Sequence, residues 1–115
     1  MKSYLEILSE IKKENQKYFK NYLKYAKIIK RIVRKELGEV RVFVFGSVIK
    51  GQETPASDID ILVVSKNMPE KMNERSKIKA KIWKRIGIFS PFEIHLVDEK
   101  EFRWYEKFID EKIIV

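Results

Sequence analysis

The sequence has no cysteine, a single histidine, three prolines and four glycines in 115 residues. Without cysteine the chain can form neither a disulfide nor a thiolate metal site, which is typical of a cytoplasmic protein. No apolar run comes near the ~20 residues that a membrane-spanning helix requires. The first residues, MKSYLEILSE, also lack the apolar core of a secretion signal. We therefore expect one cytoplasmic globular domain with no membrane segment.

Positive charge is plentiful but unevenly distributed along the chain. Lys and Arg number 25 against 17 acidic residues, which gives a formal net charge of +8. Residues 1–37 hold eleven of these basic residues and only four glutamates, interleaved with tyrosine and phenylalanine. Such a segment could bind nucleic acid or an acidic protein, or could be an ordinary solvated helix face.

The N-terminal third is predicted to be helical. Residues 2–37 contain no glycine or proline, and their apolar side chains recur at helical spacing. This pattern predicts one long helix, or two helices separated near Glu14 and Asn15. We interpret residues 1–37 as a basic helical segment that packs on a domain formed by residues 38–115.

Three short segments rich in β-branched and aromatic residues predict β-strands: Val40–Phe45, Asp58–Ser65 and Pro91–Val97. Helices are predicted between Pro69 and Gly87 and over Asp98–Lys112, where Asp98 is the expected N-cap. The order helix, strand, strand, helix, strand, helix predicts an α/β (α+β) domain. Its small mixed sheet of three or four strands would be flanked by helices.

Two aspartates, Asp58 and Asp60, lie one residue apart where the second strand begins. Side chains alternate across a strand, so both carboxylates are expected on one face, where they repel each other unless a cation lies between them. Mg²⁺ prefers oxygen ligands, binds few carboxylates and keeps positions open for water and substrate phosphates. The pair therefore indicates a magnesium site suited to phosphoryl or nucleotidyl transfer.

A glycine–serine turn, Gly46 and Ser47, follows the first strand. Glycine lets the backbone approach a ligand closely, and consecutive amides together with the Ser47 hydroxyl could form a nest that binds a phosphate. A Gly-Ser turn and an Asp-x-Asp pair are each common. A strand, this turn, a loop and a second strand that carries Asp-x-Asp form a much more specific pattern.

The segments FGSVIKG (45–51) and SDIDILV (57–63) resemble the signature of the DNA polymerase-β nucleotidyltransferase superfamily. The resemblance extends over Val40–Val97. It is closest to the minimal nucleotidyltransferases, which are small single-domain members often encoded beside a helical HEPN-domain protein. Relatives transfer a nucleoside monophosphate to a hydroxyl group on a drug, an RNA end or a protein. In the paired systems the acceptor can be a tyrosine of the HEPN toxin.

This resemblance implies a polymerase-β-like fold and a set of residue roles. Gly46 and Ser47 would hold a nucleoside triphosphate, with ATP as the expected donor of AMP. Asp58 and Asp60 would bind two Mg²⁺ ions, and a third acid on a later strand would complete the site. A HEPN-type partner and an antitoxin role are implied as well.

Lys50 and Ser57 are also expected at the nucleotide. Lys50 stands where many relatives have an arginine before the second glycine, so the positive charge is kept but the bidentate fork is lost. Ser57 could instead start the strand or support the loop before Asp58.

The third acid departs from the family pattern. His95 occupies the position at which relatives usually have aspartate, whereas Glu93 is the only carboxylate of that strand and shares its face. Mg²⁺ favours oxygen over imidazole nitrogen, and a neutral histidine adds no negative charge. We therefore expect Glu93 to be the third metal ligand and proton acceptor, with His95 as the alternative ligand.

Two other functions remain open at this point. One is a non-catalytic antitoxin module whose N-terminal helices dock on a partner protein. The other is a basic RNA-binding protein, which would show a steep dependence of binding on salt. A homodimer is compatible with either function.

Overall fold

The computed structural model describes residues 1–54 and 56–115. In this part of the chain the elements are α1 (Tyr4–Lys20), α2 (Tyr22–Leu37), β1 (Arg41–Phe45), β2 (Ile59–Val64), α3 (Met72–Ile86), β3 (Phe92–Val97), α4 (Glu99–Glu106) and β4 (Lys112–Ile114). The strands form one sheet in the order β3-β2-β1-β4. β2 and β3 are parallel, and the other two pairs are antiparallel. The predicted α/β class with a small mixed sheet and flanking helices is confirmed.

The N-terminal helical segment is divided at Asn21, so the predicted break near Glu14 and Asn15 is wrong. Asn21 leaves the helical conformation, with φ of −120° and ψ of 28°. Its backbone N–H and its side-chain amide both donate to the Lys17 carbonyl, at 3.1 and 2.9 Å. These bonds satisfy an orphan carbonyl at the end of α1, so an asparagine ends the helix without a glycine or proline.

Other boundaries also differ from the prediction, and β1 and β3 each begin one residue later than expected, at Arg41 and Phe92. Asp58 lies just before β2 and Ser65 just after it. The closing helix ends at Glu106 because residues 112–114 form β4, which pairs with the free edge of β1. The predicted N-cap is confirmed, since Asp98 accepts from the Glu101 amide in a capping box.

Two layers of helices enclose the sheet. α2, α3 and the end of α1 cover one face and form the larger core with alternate strand residues, among them Val42, Val44, Ile59, Ile61, Val63 and Ile94. α4 covers the opposite face, where its Phe102 packs with Phe43, Leu62, Val64 and Val97.

α4 has only eight residues and therefore covers only part of its face of the sheet. The β2 residues Leu62 and Val64 are buried beneath it, whereas Asp60 is partly exposed and its neighbour Glu93 on β3 is exposed. Polar side chains thus stand at the uncovered end of an otherwise apolar surface.

A buried arginine fastens α4 in place. Arg75 of α3 is only 6% exposed, and its Nη1 donates to the Leu96 carbonyl at 3.1 Å and to Glu101 Oε1 at 2.8 Å. Glu101 also accepts from the Asp98 amide and so closes the capping box. One charge pair therefore joins α3, β3 and the first turn of α4.

α1 contacts the rest of the protein mainly near its C-terminal end. Of its seventeen residues only Tyr18 is buried, and the Tyr18 hydroxyl donates to the Ile86 carbonyl at 2.8 Å. Toward its N-terminus large apolar side chains are exposed, namely Tyr4, Leu5, Ile7, Leu8 and Ile11. Within the described residues we find no helix with the length and apolar character needed to cross a membrane.

Candidate active site

Gly46 and Asp60 meet where β1 ends and β2 begins. The antiparallel register places Phe45 opposite Asp60, so the turn that starts at Gly46 lies beside the Asp60 side chain. Gly46 has φ of 89°, and a Cβ atom there would lie 2.3 Å from Asp60 Oδ2. Only glycine suits both this backbone conformation and this contact. The structure thus brings together the two motifs that the sequence singled out.

The loop after Gly46 folds back on itself. The Ser47 carbonyl accepts from the amides of Lys50 and Gln52, at 3.1 and 3.0 Å. Further along, the Ser57 Oγ accepts from the Thr54 amide at 2.8 Å and lies 3.2 Å from the Thr54 hydroxyl. Ser57 therefore supports the loop that precedes Asp58.

The two aspartates flank a buried residue. Asp58 is exposed, and the next residue, Ile59, is fully buried with its N–H donating to the Pro91 carbonyl at 2.7 Å. Asp60 points away from Ile59 because side chains alternate along a strand, and its side chain is 26% exposed. Both carboxylates are therefore accessible to a ligand.

β3 places both candidates for the third ligand next to Asp60. The parallel register pairs Glu93 with Asp60 and His95 with Leu62. The Glu93 side chain is exposed, whereas His95 Nε2 lies 3.3 Å from Asp60 Oδ1. The structure thus leaves Glu93 open to solvent and joins His95 to Asp60.

Tyr105 of α4 is a site residue that the sequence did not reveal. Its hydroxyl lies 3.1 Å from His95 Nδ1, and its ring is 5.5 Å from the His95 ring. Burial raises the pKa of Tyr105, and the negative charges of Glu101, Glu93 and Asp60 raise it further. A locally negative site therefore exists in a chain whose formal net charge is +8.

Lys50 extends from the loop toward the segment between α4 and β4. Its Nζ lies 3.0 Å from Asp110 Oδ1 and 3.1 Å from Oδ2. The hydrogen bond from Lys50 holds the pKa of Asp110 below its ordinary value. Asp110 therefore competes with any other anion for the Lys50 ammonium group.

The donor chemistry of the site suits Mg²⁺. Asp58 and Asp60 offer accessible carboxylate oxygens, and Mg²⁺ typically takes one or two carboxylates and completes its shell with water and substrate phosphates. In residues 1–54 and 56–115 no three His, Cys, Asp or Glu side chains converge to hold a metal ion. The assignment of Glu93 as a third ligand stays a prediction.

A cavity of about 480 Å³ lies between α1 and the loop that leads to the aspartates. Its lining combines polar and basic side chains with one aromatic ring, and comprises Lys12, Asn15, Gln16, Phe19, Lys20, Glu53 and Thr54. The aspartates themselves stand outside this cavity, at the open end of the sheet.

Comparison with known proteins assigns the family. The profile of the nucleotidyltransferase domain family matches residues 24–115, so the chain belongs to this family. The crystal structure of a proposed nucleotidyltransferase has 32% sequence identity and a TM-score of 0.65, and the match covers 77% of this chain and 95% of that one. A second, from Sulfolobus solfataricus, has 24% identity and a TM-score of 0.59, covers 93% of this chain and 84% of that one, and shows the same fold. A search of curated proteins finds no significant match.

Proposed function

We propose that this protein is a Mg²⁺-dependent nucleotidyltransferase that moves AMP from ATP to a hydroxyl acceptor. The observation that carries the proposal is the contact between Gly46 and Asp60. It sets the backbone amides of a turn against a carboxylate that suits a metal, and these are complementary halves of a site for a metal-bound triphosphate. Membership of the nucleotidyltransferase family supports the same reaction class.

The chain supplies two binding functions for this reaction. Gly46 and Ser47 bind the triphosphate through backbone amides and the Ser47 hydroxyl. Asp58 and Asp60 hold the cation, with Glu93 as the third carboxylate. When bound, Mg²⁺ neutralises negative charge that develops on the phosphates.

The reaction itself is a displacement at the α-phosphorus of ATP. The acceptor oxygen forms a bond to phosphorus, the bond from phosphorus to the bridging oxygen breaks, and pyrophosphate leaves. The acceptor's proton passes to the Glu93 carboxylate, which lies beside Asp60 and is open to solvent.

Two measurements test this function. Millimolar MgATP should raise the melting temperature of the protein, because a ligand that binds only the folded state stabilises it. Label from [α-³²P]ATP should pass to an acceptor, and Asp58→Asn or Asp60→Asn should each abolish the transfer while leaving a folded protein. Glu70→Gln, which removes an exposed carboxylate away from the site, serves as the control. Full transfer by either aspartate variant would falsify the assigned roles.

The acceptor, in our proposal, is a tyrosine hydroxyl on a helical HEPN-type protein that this modification silences. The exposed apolar residues of α1 support a protein partner, because five large apolar side chains stand on a helix that buries only Tyr18.

The partner can be tested with the product of a neighbouring gene for a small all-helical protein. The double variant Leu5→Glu, Ile11→Glu should weaken its binding and leave the thermal shift with MgATP unchanged. Ser9→Glu adds half of this negative charge on the same helix without removing an apolar side chain, and serves as the control. Equal loss of partner and nucleotide binding would assign α1 a purely structural role.

RNA binding is a second candidate function, favoured by the outer face of α2. Five exposed basic side chains line this face: Lys24, Lys27, Arg31, Arg34 and Lys35. The one acid of α2, Glu36, is paired with Lys81 of α3. An uninterrupted stripe of cations suits a phosphate backbone.

Salt dependence distinguishes this candidate. A plot of the logarithm of the RNA association constant against the logarithm of the salt concentration has a negative slope. If the stripe binds RNA, the double variant Arg31→Glu, Arg34→Glu should make this slope less negative by about 1.5. Lys66→Glu with Lys100→Glu changes the net charge equally at exposed positions elsewhere. An equal loss in both double variants would indicate non-specific attraction only.

A further inference from the structure

Three side chains from three different elements form a hydrogen-bonded line that ends at the candidate site. The Tyr105 hydroxyl of α4 lies 3.1 Å from His95 Nδ1, and His95 Nε2 of β3 lies 3.3 Å from Asp60 Oδ1 of β2. The His95 side chain is 22% exposed, and its ring lies between the rings of Phe45 and Tyr105, at 5.4 and 5.5 Å.

For a neutral imidazole beside an ionised carboxylate, the donor capacity of each group sets the direction of both hydrogen bonds. An ionised carboxylate can only accept, so the proton shared with Asp60 belongs to His95 Nε2. A neutral imidazole carries one proton, which leaves Nδ1 as an acceptor. The remaining bond therefore requires the Tyr105 hydroxyl to donate. Burial raises the pKa of Tyr105, so its hydroxyl keeps the proton that it donates.

We propose that Tyr105 is a positioning residue that holds His95 in the Nε2–H tautomer and, through it, orients the carboxylate of Asp60. The tautomer follows from the two hydrogen-bond distances and the single proton of a neutral imidazole, whereas its effect on transfer rests on the proposed function. With Oδ1 bound by His95 and Oδ2 packed against Gly46, the Asp60 carboxylate is held from two sides. Outer partners of this kind commonly orient a metal-binding side chain.

The position of Tyr105 is itself fixed by the hydrogen bonds of Arg75, which hold α4 against the sheet. Tyr105 follows Glu101 by one helical turn, and Glu101 is bonded to the buried Arg75. In Tyr105→Phe the ring is kept but the donor is lost. His95 can then place its proton on Nδ1, and the lone pair of Nε2 would face the Asp60 carboxylate and repel it.

The single histidine of the chain makes the tautomer directly measurable. In protein labelled with ¹⁵N-histidine, the two ring nitrogens of one residue report which of them carries the proton, without any assignment problem. At about pH 9, where an imidazole is neutral, we expect the Nε2–H form to dominate in the wild type. Tyr105→Phe should lower the ratio of Nε2–H to Nδ1–H about fivefold, as expected for the loss of one hydrogen bond.

Tyr25→Phe is the matched control, since Tyr25 packs between Tyr18 and Phe92 in the core on the opposite face of the sheet. This control should leave the tautomer ratio unchanged. A wild type dominated by the Nδ1–H form, or an identical ratio in wild type and Tyr105→Phe, would overturn the proposal. Neither result depends on enzymatic activity.

Kinetics provide the second readout. Tyr105→Phe should lower kcat for nucleotidyl transfer about tenfold with little change in KM for MgATP, and Tyr25→Phe should change neither. An unchanged kcat in Tyr105→Phe overturns the positioning role. Absence of transfer by the wild type instead counts against the proposed function, and the tautomer measurement then decides the structural part.

Discussion

Gly46 and Asp60 are in direct contact: a Cβ atom added at position 46 would lie 2.3 Å from Asp60 Oδ2. Gly51, in the same loop, also has a positive φ, of 66°, but among residues 1–54 and 56–115 a Cβ atom there would meet nothing within 4 Å. The two glycines therefore share the backbone requirement and differ in the contact with the aspartate.

This difference predicts how alanine acts at each position. Both Gly46→Ala and Gly51→Ala should lower the free energy of unfolding by about 1–2 kcal/mol, from backbone strain in the left-handed region. Gly46→Ala should also displace Asp60 and reduce transfer to background, whereas Gly51→Ala should retain most activity. Denaturant unfolding and the ATP label-transfer assay measure the two effects. An active Gly46→Ala variant would show that this contact is not needed for the reaction.

The third carboxylate can be identified by a pair of variants. Glu93→Gln should reduce transfer as severely as Asp60→Asn, because it removes the charge and proton acceptor beside Asp60. His95→Asn should reduce kcat about tenfold, as expected for a residue that acts on the site through another. If His95→Asn were inactive and Glu93→Gln active, the role of the third acid would belong to His95, which occupies the family's position for it, and not to Glu93.

Release of Lys50 should favour nucleotide binding. Asp110 pairs with Lys50 and so competes with a phosphate for it, and Asp110→Asn should therefore lower the Kd for MgATP by about two- to fivefold at low salt. The gain should shrink at high salt. Glu111→Gln makes the same charge change at the neighbouring residue and is the control for long-range attraction. Weaker binding by Asp110→Asn would mean that the pair organises the loop for binding.

The buried arginine should be a major contributor to stability. Arg75→Met removes the hydrogen bonds to Leu96 and Glu101 and should lower the free energy of unfolding by about 2–4 kcal/mol. Lys81→Met, on the same helix, breaks an exposed pair with Glu36 and should have almost no effect. Chemical unfolding of both variants measures the difference. Equal losses of unfolding free energy would show that the hydrogen bonds of Arg75 do not stabilise the fold.

The capping box should make a pH-dependent contribution to the free energy of unfolding. The hydrogen bond from the Glu101 amide lowers the pKa of Asp98 below its ordinary value of 3.8. The folded state then binds this proton less readily than the unfolded state, so the stabilisation is present above about pH 4 and is lost as the pH falls through the lowered pKa. Asp98→Ala should be about 1 kcal/mol less stable at pH 7, with the difference shrinking toward pH 2. Asp98→Asn, which keeps the acceptor, should lose less. If the stability difference between wild type and Asp98→Ala did not change with pH, the negative charge of Asp98 would not be the source of the stabilisation.

Local chemistry made much of the fold predictable from the sequence. VRVFVF, DIDILVVS and PFEIHLV contain the three longer strands, and Asp98 is the N-cap of the last helix, as predicted. The break at Asn21 escaped prediction because that segment has no glycine or proline. β4 was not predicted because three residues are too few to show an alternating pattern, and because its order comes from pairing with β1.

The candidate site was predictable only where it lies in contiguous motifs. The Gly-Ser turn and the aspartates are read directly from the sequence. Tyr105, in contrast, lies on a helix, and its partner His95 lies on a strand. Only the packing of α4 on β3 brings the Tyr105 hydroxyl to His95. Arg75 is one basic residue among 25 Lys and Arg, and nothing in its local pattern distinguishes it as buried.

The sparse contacts of α1 have a consequence for hydrogen exchange. A helix that buries only Tyr18 near its end can open over its first three turns without disturbing the sheet. Its early amides should therefore exchange through local opening, at a free energy far below that of global unfolding, whereas amides of α2 beside Ile29 and Val33 should exchange only when the whole molecule unfolds. The exchange profile should rise along α1 toward Tyr18, and a bound partner would be visible first as protection of this helix.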